Sequence, residues 1–194
     1  MLRTIFLTAL SVAIAIFGGA GSVWYLLRLE HGIGALSIGP WTSFPDLGSP
    51  NADPYSKARV ARDGELALGR AEGLIFTATT DSTGLGLRRE CRYVVEGMIP
   101  PARFWTLHAA DGALAPLPVQ DKRPQALHSQ QVLRLPGNVV SVNFSRSAAP
   151  GNWIATSGSG GMAIVLTLYD TQIAGGSALT DIEMPQVIRQ GCDA

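Results

Sequence analysis

Lysine is almost missing from this chain of 194 residues: Lys57 and Lys122 are the only two, and arginine supplies the rest of its fifteen basic side chains. Histidine is scarce, at three, and cysteine stops at two. Beyond residue 30, thirteen basic residues face fourteen acidic ones. No basic stripe is available to track a phosphate backbone, so nucleic-acid binding is excluded as a reading. His31, His108 and His128 never share a ligand spacing on one helix or in one short loop, which argues against a zinc site, and no metal or other cofactor is expected. The glycines at 158, 160 and 161 are not followed by the lysine and helix that make a phosphate loop, and a hairpin turn is the expectation there. Internal repeats are lacking. With 46% hydrophobic residues, the chain is also too apolar for global disorder.

Charge is missing altogether from Thr4 to Leu27, a run of twenty-four residues. As a helix such a run crosses a hydrocarbon core of about 30 Å. Arg3 and the amino terminus precede it, whereas Arg28 behind it is offset by Glu30, so the positive-inside bias places the N-terminus in the cytoplasm. Trp24 and Tyr25 stand where aromatic rings prefer the headgroup layer, as in an anchor. The competing reading is a signal peptide cut near Gly18-Gly19-Ala20, which would release the rest. Residues 1–30 are thus expected to form a transmembrane anchor.

From 31 to 54 the chain holds Gly32, Gly34, Gly39, Pro40, Pro45, Gly48, Pro50 and Pro54, too many breakers for a continuous element. An extended juxtamembrane segment is expected over 31–52, with Trp41 and Phe44 packed on the domain or on a partner. Asp53 before Pro54 reads as the cap of a short helix ending near Gly64. After Gly69, short β-rich runs alternate with turns: 74–79, 91–96, 103–108, 139–144 and 162–169, with weaker runs at 130–135 and 187–189. No long helix alternates with them, which argues against a doubly wound fold. The pattern predicts a mainly β domain over 53–194, an antiparallel β-sandwich of jelly-roll-like type behind one short helix.

Two cysteines in an exported chain are expected to pair, because compartments outside the cytoplasm are oxidising. A Cys91–Cys192 bond would pin the C-terminal tail to the sheet. Candidate recognition residues are Trp105, Trp153 and Tyr169, whose aromatic rings either fill the core or form a binding surface, with Trp153 beside the Pro150-Gly151 turn. Arg103, His108, Asp111 and Asn152 are the polar residues that a cleft would have to gather for catalysis. Other carboxylates, Glu65, Glu72 and Asp121 among them, are scattered in a way that spacing alone cannot pair.

From about Asp53 to Cys192 the chain resembles the bacterial family called domain of unknown function 1214. The resembling stretches are Ala71-Glu72-Gly73-Leu74-Ile75-Phe76, Cys91-Arg92-Tyr93, Pro101-Ala102-Arg103-Phe104-Trp105-Thr106-Leu107, Pro150-Gly151-Asn152-Trp153-Ile154 and Leu166-Thr167-Leu168-Tyr169-Asp170. The family usually has an arginine before the last Leu-Tyr and a proline soon after it, where this chain has Thr167 and Asp170-Thr171. The resemblance implies a β-sandwich often encoded with a companion, domain of unknown function 1254, and no established reaction. Two functions follow as expectations. One is an inner-membrane protein whose periplasmic domain docks that companion. The other is a hydrolase or lyase acting on an envelope glycan or small polar metabolite.

Overall fold

The structure, a computed structural model, describes residues 2–28, 34–50, 52–64, 68–69, 71–119, 122–175 and 182–192. His31, Glu65, Asp121 and the first residues of the juxtamembrane segment lie outside the described residues. Helix α1 spans Leu2–Arg28, and its apolar stretch Leu2–Tyr25 is long and apolar enough to cross a membrane, with none of it buried against the rest of the chain. Helix α2 spans Pro54–Asp63. Its start is fixed by Asp53, whose carboxylate accepts hydrogen bonds from Tyr55 N at 2.9 Å and Ser56 N at 3.1 Å. Its end is fixed by Gly64, in the left-handed region at φ 65°, as the proline-first, glycine-last pattern requires.

The strands follow in chain order: β1 (Leu36–Ile38), β2 (Trp41–Ser43), β3 (Gly73–Ala78), β4 (Cys91–Gly97), β5 (Phe104–Ala110), β6 (Ala126–His128), β7 (Arg134–Leu135), β8 (Val139–Ser145), β9 (Asn152–Ala155), β10 (Ala163–Tyr169) and β11 (Gln186–Cys192). They form two sheets. One has the order β1-β2-β3-β10-β5-β6, and the other β11-β4-β8-β7 with β9 on β8. The pairings are antiparallel except β9 on β8. That exception departs from the all-antiparallel expectation. A parallel neighbour normally needs a crossover of a dozen or more residues. Here residues 146–151 make the return, with Gly151 at φ 78° and Asn143 Nδ2 donating to Pro150 O at 3.2 Å.

Side-chain alternation positions the core. Tyr93 and Val95 on β4, Trp105 and Leu107 on β5, and Val140 and Val142 on β8 are buried while their neighbours are partly or fully exposed. Both sheets feed one hydrophobic cluster. Strand β10, between β3 and β5, is buried from Ala163 to Leu168, which accounts for its continuous apolar run. At Gly73 a Cβ would stand 2.1 Å from Leu168 O, so glycine is what lets β3 approach β10 there.

Part of the stretch expected to be juxtamembrane belongs to this architecture. Strands β1 and β2 form a hairpin that pairs with β3 through Trp41↔Ala78 and Ser43↔Phe76. Trp41 is fully buried, and its Nε1 donates to Pro185 O at 2.6 Å. The tryptophan expected to seek cover is therefore covered by its own chain.

Strand β11 closes the second sheet on β4. Cys192 stands in register with Cys91, their Cα atoms 3.8 Å apart and their sulfurs bonded. A bulge between Arg189 and Gly191 shifts the register by the one residue needed to bring the two cysteines opposite each other. On its other side β11 is held by the turn after β3. Ser82 N donates to Val187 O at 2.8 Å, and Val187 N donates to Ser82 Oγ at 2.9 Å. Asp81, almost fully buried, accepts from Thr83 N, Thr83 Oγ1 and Leu85 N. Its other oxygen lies 3.0 Å from Arg189 Nε, a close ion pair whose alignment falls short of a hydrogen bond. Arg189 in turn sits 5.5 Å from the Tyr93 ring centroid. Burial alone would raise the Asp81 pKa, but the hydrogen bonds from Thr83 and Leu85 and the Arg189 charge outweigh it and hold the carboxyl below its ordinary value.

Candidate functional site

The residues singled out from the sequence fall in several places. Trp105 belongs to the core, opposite Leu168 and 3% exposed. Tyr169 ends β10 on the other face of that sheet, where its ring lies 5.9 Å from Phe104, which in turn lies 5.4 Å from His128. Arg103 is beside them but exposed, paired at 3.5 Å with Asp170, which is exposed too. His108 is half-buried five residues further along, about 16 Å from Arg103 at strand spacing, with Val165 and Ala126 as its cross-strand neighbours. Burial holds its imidazole below the ordinary pKa.

The remaining polar candidates are engaged in building loops. Asp111 accepts from Ala113 N at 2.9 Å and Ala115 N at 3.0 Å, which makes it the keystone of the turn after β5. Asn152 is buried on the second sheet and satisfied three times: its Oδ1 accepts from Leu133 N at 2.7 Å, and its Nδ2 donates to Leu133 O at 2.8 Å and Ser141 O at 2.9 Å. Trp153, half-buried, donates from Nε1 to Ser145 O at 3.1 Å. Arg103 and Tyr169 thus share one end of the first sheet, His108 and Asp111 the other, and Asn152 and Trp153 belong to the second. Among the described residues no group of three His, Cys, Asp or Glu side chains is placed to hold a metal ion.

A cleft of about 320 Å³ opens elsewhere, between the chain after β5 and the chain after β9, with Pro118, Val119, Arg123, Thr156 and Gly158 in its walls. The glycine-rich segment 158–161 passes from β9 in one sheet to β10 in the other, so it is a crossover between sheets rather than the expected hairpin turn. Arginines gather on it. Arg146 Nη2 donates to Gly158 O, and Arg123 Nη1 donates to Arg146 O at 3.0 Å. Arg89 Nε donates to Gly161 O at 3.0 Å, and its Nη1 would stand 3.3 Å from a Cβ at Gly158. Ser157 Oγ donates to Pro118 O and closes the floor between the two walls. Thr156, 3% exposed, holds its Oγ1 buried without a hydrogen-bond partner among the described residues. The sequence offers little signal for this arrangement, because Arg89, Arg123 and Arg146 are far apart in the chain and match no motif.

No curated protein matches the sequence. Among solved structures, the VPA0106 protein of Vibrio parahaemolyticus is similar with a TM-score of 0.56 at 15% identity, over 72% of this chain and 36% of that one. An uncharacterized protein of Burkholderia cenocepacia is similar with a TM-score of 0.40 at 16% identity, over 77% of this chain and 46% of that one. The chain thus spans less than half the length of either. The model of the family described as protein of unknown function DUF1214 matches residues 72–173, more than half of the sequence, and the chain belongs to that family.

Proposed function

We propose that this protein is a membrane-tethered binding module of the bacterial envelope. In this reading α1 spans the inner membrane, and the domain over 53–194, with the β1–β2 hairpin added to its first sheet, stands in the periplasm as a face-to-face sandwich that docks a companion of the domain of unknown function 1254 family. Exposure of α1 along its apolar stretch supports the anchor. A cross-strand disulfide supports an oxidising compartment. The core shared by two sheets supports the sandwich.

The observation that carries docking is the length of the Vibrio parahaemolyticus protein, most of which lies outside the fold it shares with this chain. A domain found there as one part of a larger chain is suited to work against a second one. A hydrolase or lyase built from Arg103, His108, Asp111 and Asn152 has less support, since Asp111 and Asn152 are committed to backbone groups at separate places. Trp41, buried within its own domain, lends no weight to either reading.

The test is co-expression with the companion and purification of the detergent-solubilised full chain. Co-elution as a stoichiometric complex is the expected result, and two independent peaks at micromolar concentration would refute docking. A phosphatase fused after residue 194 should be active, and an intact mass beginning at residue 1 would separate the anchor from the cleaved leader.

A further inference from the structure

The geometry points to an anion-binding site in the cleft between the chain after β5 and the β9–β10 crossover, fitted to a small polar ligand that bears a carboxylate or phosphate. Two guanidinium groups converge on Gly158, where Arg146 bonds its carbonyl and Arg89 Nη1 would stand 3.3 Å from a Cβ added there, and a third, Arg123, stands in the cleft wall and bonds the backbone of Arg146. Each is anchored through a backbone carbonyl. Among the described residues no carboxylate forms an ion pair with any of the three. Glu90, on the neighbouring turn, places its Oε1 on Gly160 N at 2.8 Å and Arg88 Nη2 at 3.5 Å, while its Oε2 is buried without a hydrogen-bond partner among the described residues.

A guanidinium carries five N–H donors in a planar fork that matches an oxyanion, so one bond to a carbonyl leaves most of that capacity open. Like charges gathered around one loop repel each other, and an arriving anion relieves that repulsion. Gly158, at φ 77°, gives the loop its turn, and a side chain there would press on Arg89. Thr156 also lines the cleft, with its Oγ1 buried behind that wall and without a hydrogen-bond partner among the described residues.

Size and charge limit the ligand. A volume of about 320 Å³ is at the small end of metabolite sites and too small for a polymer to thread. Beyond residue 30 the chain has thirteen basic against fourteen acidic residues, which leaves no excess positive charge to build a track for a polyanion. The site is independent of the docking reading, and either stands if the other fails.

The experiment is calorimetric titration of the detergent-solubilised full chain at low ionic strength with two probes, inorganic phosphate and glucuronate. Saturable binding of either one is expected. Phosphate alone would assign a phosphorylated ligand, and glucuronate alone a sugar acid. Added sodium chloride should weaken the interaction. Arg123→Gln removes a wall charge and should weaken binding by about tenfold or more, with the thermal unfolding curve unchanged. Arg146→Gln provides a second arm and should likewise bind more weakly. Absence of saturable binding by both probes, or unchanged affinity in Arg123→Gln and Arg146→Gln, would overturn the proposal.

Discussion

Cys192→Ser tests how much of the stability of this domain resides in its one crosslink. The bond joins residues 101 apart in sequence. For a closed loop of that length the chain-entropy model gives about 4.7 kcal/mol, almost all of it from the freedom restored to the unfolded chain. The folded side should change little. Val187 remains bonded to Ser82, and Arg189 remains paired with Asp81 and bonded to Gly86 O at 2.7 Å, so β11 keeps three ties on the far side from β4. In a domain of this size each kcal/mol moves the melting temperature by about 2–4 °C, which gives a fall of about 9–19 °C. The assay is thermal and urea unfolding of the full chain in detergent, oxidised, reduced and substituted. The urea slope should rise because the uncrosslinked unfolded state exposes more surface. Cys91→Ser should cost slightly more, since Cys91 is buried and a hydroxyl there needs a partner, and the double variant should be no worse than Cys91→Ser. A melting shift below about 3 °C, with the bond confirmed in the parent by mass of unreduced protein, would refute the reasoning.

Trp41→Ala should destabilise the domain by about 3–5 kcal/mol, whereas Trp41→Phe, which keeps most of the ring and loses the bond to Pro185 O, should cost about 1–2 kcal/mol in urea unfolding. Asn152→Ala, which leaves Leu133 N and O and Ser141 O without their partner, should cost about 2–4 kcal/mol and accelerate amide exchange at Leu133. Asp81 has its pKa held below 3.8, so its contribution is complete above that value and is lost as pH falls through the lower folded-state pKa; Asp81→Asn should destabilise at neutral pH and flatten the low-pH limb of the stability curve. His108 is likewise held below its ordinary 6.5, so stability should begin to fall as pH drops below that value, and His108→Gln should remove that early slope.

The parts of the fold that were legible in the sequence are those where a local rule coincides with a tertiary need. Asp53-Pro54 and Gly64 mark both ends of α2 because capping and a left-handed φ are settled within a turn. Residues 91–96 and 139–144 alternate and prove to be the paired strands β4 and β8. The runs at 103–108 and 162–169 are neighbours, paired through Leu107↔Leu166. What stayed hidden was short. Strands β1, β2 and β6 have three residues each, too few for a period of two to show, and they exist because β3 and β5 offer free edges. The breakers around Trp41 signal the absence of a long element, yet Gly39-Pro40 is a turn that a hairpin can use.

The candidate site was less legible for a different reason. Residue type attracts attention to Asp111 and Asn152, but in a small β domain a buried or turn-forming polar side chain is needed first to satisfy backbone groups that the sheets leave unpaired. Asn152 does this for Leu133, nineteen residues away, and no spacing rule announces such a partnership. The arginines of the cleft show the converse. Arg89, Arg123 and Arg146 each lie in connecting chain rather than inside a strand; Arg89 and Arg146 are held by carbonyls of the crossover, and Arg123 by the carbonyl of Arg146. Their convergence is a property of the topology. The crossover must leave one sheet and enter the other, and the loops that flank it bring their side chains to the same place. Chemistry built this way appears in the sequence only as arginine where lysine would serve equally for solubility, and the near-absence of lysine across the whole chain conceals that preference.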